Sequence, residues 1–330
     1  MRRDAKLHKI LLTAGIIVVV LALLYIAAGS IIYHISIDAR SDKSFILNGN
    51  AHDNPALHTE IEKSEQKKDK EFLASHTPED VYITSTDKLK LKLHGNVFRN
   101  SGDSNTQNNR WYIFVHGYGS NLVDNIRNDR KFFESGYNVL APDLRGHGKS
   151  EGRYIGMGWD DRLDVCAWIN WIVSENPNAK IIIMGVSMGA ATVMNTSGES
   201  VPSNVKAFIE DCGFNSAGDI ATYQVKKLLH MGKFPIVYAV RDSVKLHAGY
   251  DIFKSSAVKQ LQKNKTPILF IHGTADNFVP YFMLDKVYNA TSAPKEKLIV
   301  EGAGHCESSI VNAEVYWQTV LNFAEKHIND

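Results

Sequence analysis

Apolar and polar positions along this chain change their rhythm twice. Between Ile10 and Ile32 there is no charged residue, and nearly every position is apolar. A helix of that length, rising about 1.5 Å per residue, spans a hydrocarbon core of about 30 Å. It has no polar face, which argues against a core helix of a soluble protein. Arg2, Arg3, Lys6 and Lys9 precede it, whereas Arg40 and Lys43 are the near basic residues after it. That asymmetry predicts a cytoplasmic N-terminus and an external remainder, with Tyr33 at the outer interface. A cleaved signal peptide is the competing expectation, since Ala27-Ala-Gly-Ser30 offers small residues. The apolar run exceeds a usual signal core and continues past them, so an uncleaved anchor over residues 1–37 is expected.

Residues 38–80 are polar and charge-mixed. Glu60, Glu62, Lys63, Glu65, Lys67, Lys68, Asp69, Lys70 and Glu71 predict a solvated helix laced by i,i+4 pairs. The expectation is a spacer that holds the rest of the chain off the bilayer.

From residue 81 to 330 the pattern is that of strands and helices in turn. Val81–Thr86 and Leu89–His94 alternate around Asp87-Lys88 and predict an antiparallel hairpin. Trp111–Val115, Tyr137–Pro142, Lys180–Ile183, Val205–Asp211, Thr266–His272 and Lys297–Val300 read as strands, most of them continuous apolar runs. Helices are predicted near Asn121–Ser135 and Trp159–Ser174. This alternation implies a mostly parallel sheet covered by helices on both faces. Between residues 214 and 265 the rhythm breaks into helical stretches with Tyr223, Phe234, Tyr238, Tyr250 and Phe253, which predicts a short helical cap over a site.

Composition narrows the classes. The chain has 330 residues, more than the roughly 250 such a domain needs, which leaves room for the anchor and spacer. Its 37 basic and 36 acidic residues nearly cancel and give no argument for nucleic acid. Cys166, Cys212 and Cys306 are widely spaced and contain no C-x-x-C, so neither a disulfide framework nor a zinc site is expected. No H-E-x-x-H or other ligand cluster calls for a metal, and no motif calls for a cofactor. Gly148-Lys-Ser150 lacks the first glycine of a P-loop, since Asp143 stands there. Nothing fixes the oligomeric state.

The chemistry sits at strand ends. Met184-Gly-Val-Ser-Met-Gly189 follows a buried strand and is a Gly-x-Ser-x-Gly turn, a nucleophile elbow. Gly185 and Gly189 let strand and helix approach around Ser187. A serine needs a base, and the base needs a group that fixes its tautomer. The strand that begins at Thr266 ends at Asp276, and the strand that begins at Lys297 ends at His305. Trp111–Val115 leads into His116-Gly-Tyr-Gly-Ser120. Glu210 and Asp211, at the end of another strand, are rival acids, with Asp211 expected to be structural. His116 and His272 are expected to order their loops. Cys306 adjoins His305, but sequence neighbours seldom point at each other, so a Cys–His nucleophile pair is not expected.

Together with Pro142-Asp-Leu-Arg-Gly-His-Gly-Lys-Ser-Glu-Gly152, these blocks resemble the α/β-hydrolase superfamily. The likeness is to its bacterial membrane-anchored serine hydrolases, grouped with esterases, lysophospholipases and prolyl-aminopeptidase-like enzymes. It covers about residues 81–330 and neither the first eighty residues nor the substrate. The resemblance implies an α/β-hydrolase fold with a triad in the order Ser187, Asp276, His305. It also implies an oxyanion hole from the backbone N–H groups of Tyr118 and Met188, supported by Gly117. The expected activity is hydrolysis of a small-molecule or lipid-like carboxylic ester. A peptidase, thioesterase or acyltransferase with the same machinery is the alternative. A non-catalytic, membrane-tethered binding protein is the further one, and the intact set of reactive residues argues against it. The expected membrane contact is through residues 10–32.

Overall fold

The computed structural model describes residues 2–44, 46, 55–100 and 108–329. Eight strands form one sheet: β1 (Glu79–Thr84), β2 (Lys92–Phe98), β3 (Arg110–Val115), β4 (Asn138–Pro142), β5 (Lys180–Val186), β6 (Val205–Asp211), β7 (Ile268–Gly273) and β8 (Lys295–Val300). Their order is β1-β2-β4-β3-β5-β6-β7-β8. The pairs β1–β2 and β2–β4 are antiparallel, and every later pair is parallel. The predicted hairpin forms, but its second strand starts later than the alternation implied. Asp87 is the reason. Its carboxylate accepts from the Ser85 hydroxyl and the Leu89 N–H, and Lys90 takes a positive φ, so residues 86–90 turn between Ser85 and Leu91, which still bond to each other.

Both faces of the central strands are apolar because both are covered. Ile113, Ile181, Ile183, Phe208 and Phe270 point to one core, and Phe114, Ile182, Met184, Ile209 and Ile271 to the other. The period-two alternation of a strand divides each apolar run between two layers. The first layer is closed by α4 (Asp161–Glu175), α5 (Met188–Thr196) and α9 (Phe282–Ala290). The second is closed by α3 (Leu122–Glu134) and α11 (Ala313–Ile328).

Ahead of the sheet, α1 (Arg2–Ser36) is the one helix among the described residues long and apolar enough to cross a membrane. Its distal end is not free. Tyr33 and Ile37 are buried with Val237, Val240 and Val244 of α7 (Ile236–His247). A β-carbon at Gly29 would collide with the Ala239 carbonyl, so the two helices cross in close contact there. α6 (Ala217–Leu229) precedes α7, and α8 (Ala257–Leu261) follows it.

The segment expected to be a solvated spacer contains α2 (Glu60–Ser75), capped by the Thr59 hydroxyl. Local pairs such as Lys68–Glu65 are present at 2.7 Å. The helix is nevertheless docked. Phe72 joins the second core, and Arg127 and Arg130 of α3 clamp Glu62, Glu65 and Asp69 at 2.5 to 3.0 Å. Long-range ion pairs, invisible in the local pattern, convert a free polar helix into part of the body. Residues 45 and 47–54, within the same expected spacer, lie outside the described residues.

Candidate active site

β5 ends at Val186, and α5 begins at Met188, so Ser187 alone makes the turn. Its φ of 58° and ψ of −118° are a conformation that L-residues rarely adopt. The turn is possible because a β-carbon at Gly189 would collide with the Val115 carbonyl, and one at Gly185 with the Gly189 carbonyl. The Ser187 N–H donates to the Asp211 carbonyl at 2.8 Å, which ties the elbow to the next strand.

Two loops bring partners to the serine. Ser187 Oγ stands 2.8 Å from His305 Nε2, and His305 Nδ1 stands 2.7 Å from Asp276 Oδ2. The other Asp276 oxygen accepts from the Phe278 and Val279 N–H groups, both at 2.9 Å. Burial opposes ionisation of Asp276, but hydrogen bonds from His272 and His305 outweigh it and bring its carboxyl down to about 2. An ionised carboxylate only accepts, so Nδ1 carries the proton of a neutral imidazole, and Nε2 is left to accept from the serine hydroxyl. Burial also opposes a charged His305. The Cys212 sulfur and the Asp276 carboxylate act the other way, and the net direction is upward. Burial pushes the Cys212 thiol well up, so near neutral pH it is uncharged and Asp276 carries what remains.

The loop after β3 lies against the serine. A β-carbon at Gly117 would sit 3.5 Å from that of Ser187. His116 Nε2 accepts from the Leu144 N–H at 3.0 Å, and its Nδ1 donates to the Gly117 carbonyl at 2.7 Å. Burial, helped by neighbouring His147, brings the His116 pKa down to about 3, which keeps the ring neutral and both bonds in place. His147 Nε2 accepts from the Gly119 N–H at 3.2 Å. The Tyr118 and Met188 N–H groups donate no hydrogen bond among the described residues.

A family model for the α/β-hydrolase fold matches residues 112–235, from the strand before this loop to beyond the elbow. The chain has the α/β-hydrolase fold. The uncharacterized protein YqkD of Bacillus subtilis is 27% identical over 219 residues, covering 66% of this chain and 72% of that one. The α/β-hydrolase domain-containing protein WAV2 of Arabidopsis thaliana is 28% identical over 195 residues, 58% of this chain and 61% of its own. Among solved structures, the Pyrococcus furiosus esterase Pf2001 superposes with a TM-score of 0.61 at 23% identity, over 77% of this chain and 94% of that one. At that identity the likeness is one of fold.

The rival acids are not part of this relay. The Asp211 carboxylate accepts from the Tyr316 hydroxyl at 2.9 Å, and burial raises its pKa to about 6. Glu210 is fully buried, accepts from the Gly213 N–H, and is pushed well up by burial. His272 Nε2 is 2.9 Å from the Val279 carbonyl and 3.4 Å from Asp276, so it braces the acid's loop.

A cavity of ≈ 570 Å³ opens beside Ser187, His305 and Tyr118. None of its lining residues comes from 214–265, the segment expected to cap the site. Glu62, Gln66 and Lys70 of α2 form that wall instead, because the arginine clamp holds α2 over α3. Residues 214–265 reach the acid's loop, where Tyr223 and Lys227 donate to the Asn277 carbonyl and Gln224 to the Phe278 carbonyl. Cys212 and Cys306 bring their sulfurs within 4.8 Å of a His305 ring nitrogen and of each other, a spacing a metal ion could use. Both nitrogens of that ring are engaged by Ser187 and Asp276, so an ion would have to displace one of them.

Proposed function

We propose that this chain is a serine hydrolase that cleaves carboxylic esters through an acyl-enzyme and is held at a membrane by α1. The observation that carries the reading is the unbroken hydrogen-bonded path from Ser187 through His305 to Asp276. Ser187 attacks the ester carbonyl as His305 Nε2 takes its proton. Asp276 keeps the imidazole in the right tautomer and stabilises its charged form. The Tyr118 and Met188 N–H groups receive the oxyanion, each worth about 3 kcal/mol of barrier. His305 then protonates the leaving alcohol, and water repeats the cycle on the acyl-enzyme. An ester is favoured because Pf2001, which shares this fold, is described as an esterase. The cavity wall is partly apolar, through Leu73, Val123, Ile126 and Ile310, and suits an acyl chain.

The test is a stopped-flow assay of the full-length protein in detergent with p-nitrophenyl butyrate. The expected result is a burst of one nitrophenolate per active site, followed by slower turnover. Ser187→Ala should abolish the burst and cut turnover by at least about 10⁴-fold. A Ser187→Ala protein that keeps the wild-type rate contradicts the reading.

A further inference from the structure

The stretch Lys226–Phe234, which ends α6 and leads into α7, is exposed at every residue. It holds Leu228, Leu229, Met231 and Phe234 together with Lys226, Lys227, His230 and Lys233, and it contains no acid. Phe234 is 73% exposed and Leu228 58%, and the partly exposed Tyr238 packs its ring 5.8 Å from that of Phe234. A soluble surface does not need large apolar side chains grouped with basic ones, whereas the interface of an anionic bilayer suits both.

The position of this turn relative to α1 identifies what covers it. α1 is exposed from Lys6 to Leu24, and it meets α7 from Tyr25 onward. The Tyr25 hydroxyl donates to Asp242 at 2.7 Å, Gly29 abuts Ala239, and the Tyr33 ring lies 5.0 Å from that of His247. The free apolar part of α1, Ile10–Leu24, is about 22 Å long at the helical rise. A hydrocarbon core is about 30 Å thick. The missing length cannot come from the other end, where Lys9 and Lys6 would have to enter the core. It comes from the stretch of α1 already packed on α7, where Asp242 enters paired with the Tyr25 hydroxyl and the Arg241 guanidinium. The bilayer therefore reaches the level of the α1–α7 contact. Ile236, where α7 begins, precedes Asp242 by about 9 Å along the helix, and Phe234 lies two residues before it, so the turn flanks that level.

We propose that Lys226–Phe234 and the adjoining face of α7 are immersed in the leaflet from which α1 emerges, with the apolar side chains among acyl chains and the lysines at anionic headgroups. This rests on the reading of α1 as a membrane span. The active site is then held close to the lipid surface, since the Tyr118 hydroxyl donates to the Ser36 carbonyl at the end of α1.

The test uses the full chain in phosphatidylcholine–phosphatidylglycerol vesicles that contain acyl-brominated phosphatidylcholine. Phe234→Trp adds one indole at the turn, and its emission is read as the difference from the parent protein. The expected result is loss of at least half of that added emission on bromination, with the protein retained by the vesicles after alkaline carbonate. Unquenched emission in a retained protein overturns the proposal, since the turn would then face water or a second copy of the chain. Release by carbonate overturns the membrane reading itself, and this inference with it. If circular dichroism shows that Phe234→Trp does not fold, Met231→Trp gives the same readout.

Discussion

At Asp276 burial and hydrogen bonding pull in opposite directions, and hydrogen bonding wins by enough to bring the carboxyl down to about 2. The charge that survives there raises the pKa of His305. The base must be neutral to accept the serine proton. The low-pH limb of kcat/KM should therefore lie above the ordinary imidazole range. Asp276→Asn removes the negative charge and should move that limb down while lowering the plateau by at least about 10³-fold. A pH profile of each protein on one soluble ester checks both. Asp211→Asn should cost far less, because its carboxylate serves Tyr316 and only its backbone carbonyl touches the elbow. An Asp211→Asn loss larger than that of Asp276→Asn would exchange the two roles. Ser187, Asp276 and His305 were legible in the sequence because each follows a buried strand, where a parallel sheet presents its loops on one edge. The contact between Cys212 and Cys306, 3.8 Å between sulfurs, was not. They lie on different loops, and neither sits in a pattern that announces a partner.

Among the elements, α2 departs furthest from its sequence. Its charges read as solvated because acids and bases are mixed along it and several pair locally, as Lys63–Glu60 and Lys68–Glu65 do, and the pattern does not record Arg127 and Arg130 sixty residues away. Asp69 and Glu62 are nearly buried against those arginines, with side-chain exposures of 11% and 8%. Arg130→Ala would leave Asp69 with half its clamp and should destabilise the α2–α3 contact by about 3 kcal/mol. A lower urea midpoint for protease cleavage within α2 would show this. Acid should do the same. Burial opposes ionisation of Glu65, but bonds from Lys68, Arg130 and Lys131 bring its pKa down to about 2 from 4.5. Its contribution is complete above about 4.5 and is lost as pH falls through about 2, so cleavage within α2 should rise over that window. The predicted hairpin forms, shortened at the turn where Asp87 bends the chain and extended at its outer ends to Glu79 and Phe98.

For the whole molecule, α1 and the body are packed against each other. Val237, Val240 and Val244 are buried together with Tyr33 and Ile37 at the end of α1. A chain that starts at residue 38 should expose this face and sediment as aggregates without detergent, whereas the full chain in detergent should not. The proposed topology, with the N-terminus inside, rests on Arg2, Arg3, Lys6 and Lys9 on one side of α1. On the other side Arg40 is already paired with Asp38 at 2.7 Å, and the Lys43 ammonium donates to the Ile35 carbonyl at 3.1 Å. Proteinase K added to intact cells should therefore digest the body and spare the N-terminal end of α1. The mostly parallel sheet and its two covering layers were readable from continuous apolar runs alternating with helices, whereas the strand order was not. The α1–α7 contact was not, because it pairs an unpatterned apolar helix with an irregular segment. The central claim is that Ser187 is the nucleophile of an acyl transfer. The most direct measurement is peptide mass mapping after a fluorophosphonate has reacted with the full-length protein. The account predicts a single stoichiometric adduct on Ser187 that disappears in His305→Ala, and an adduct on another serine, or none on a folded protein, would contradict it.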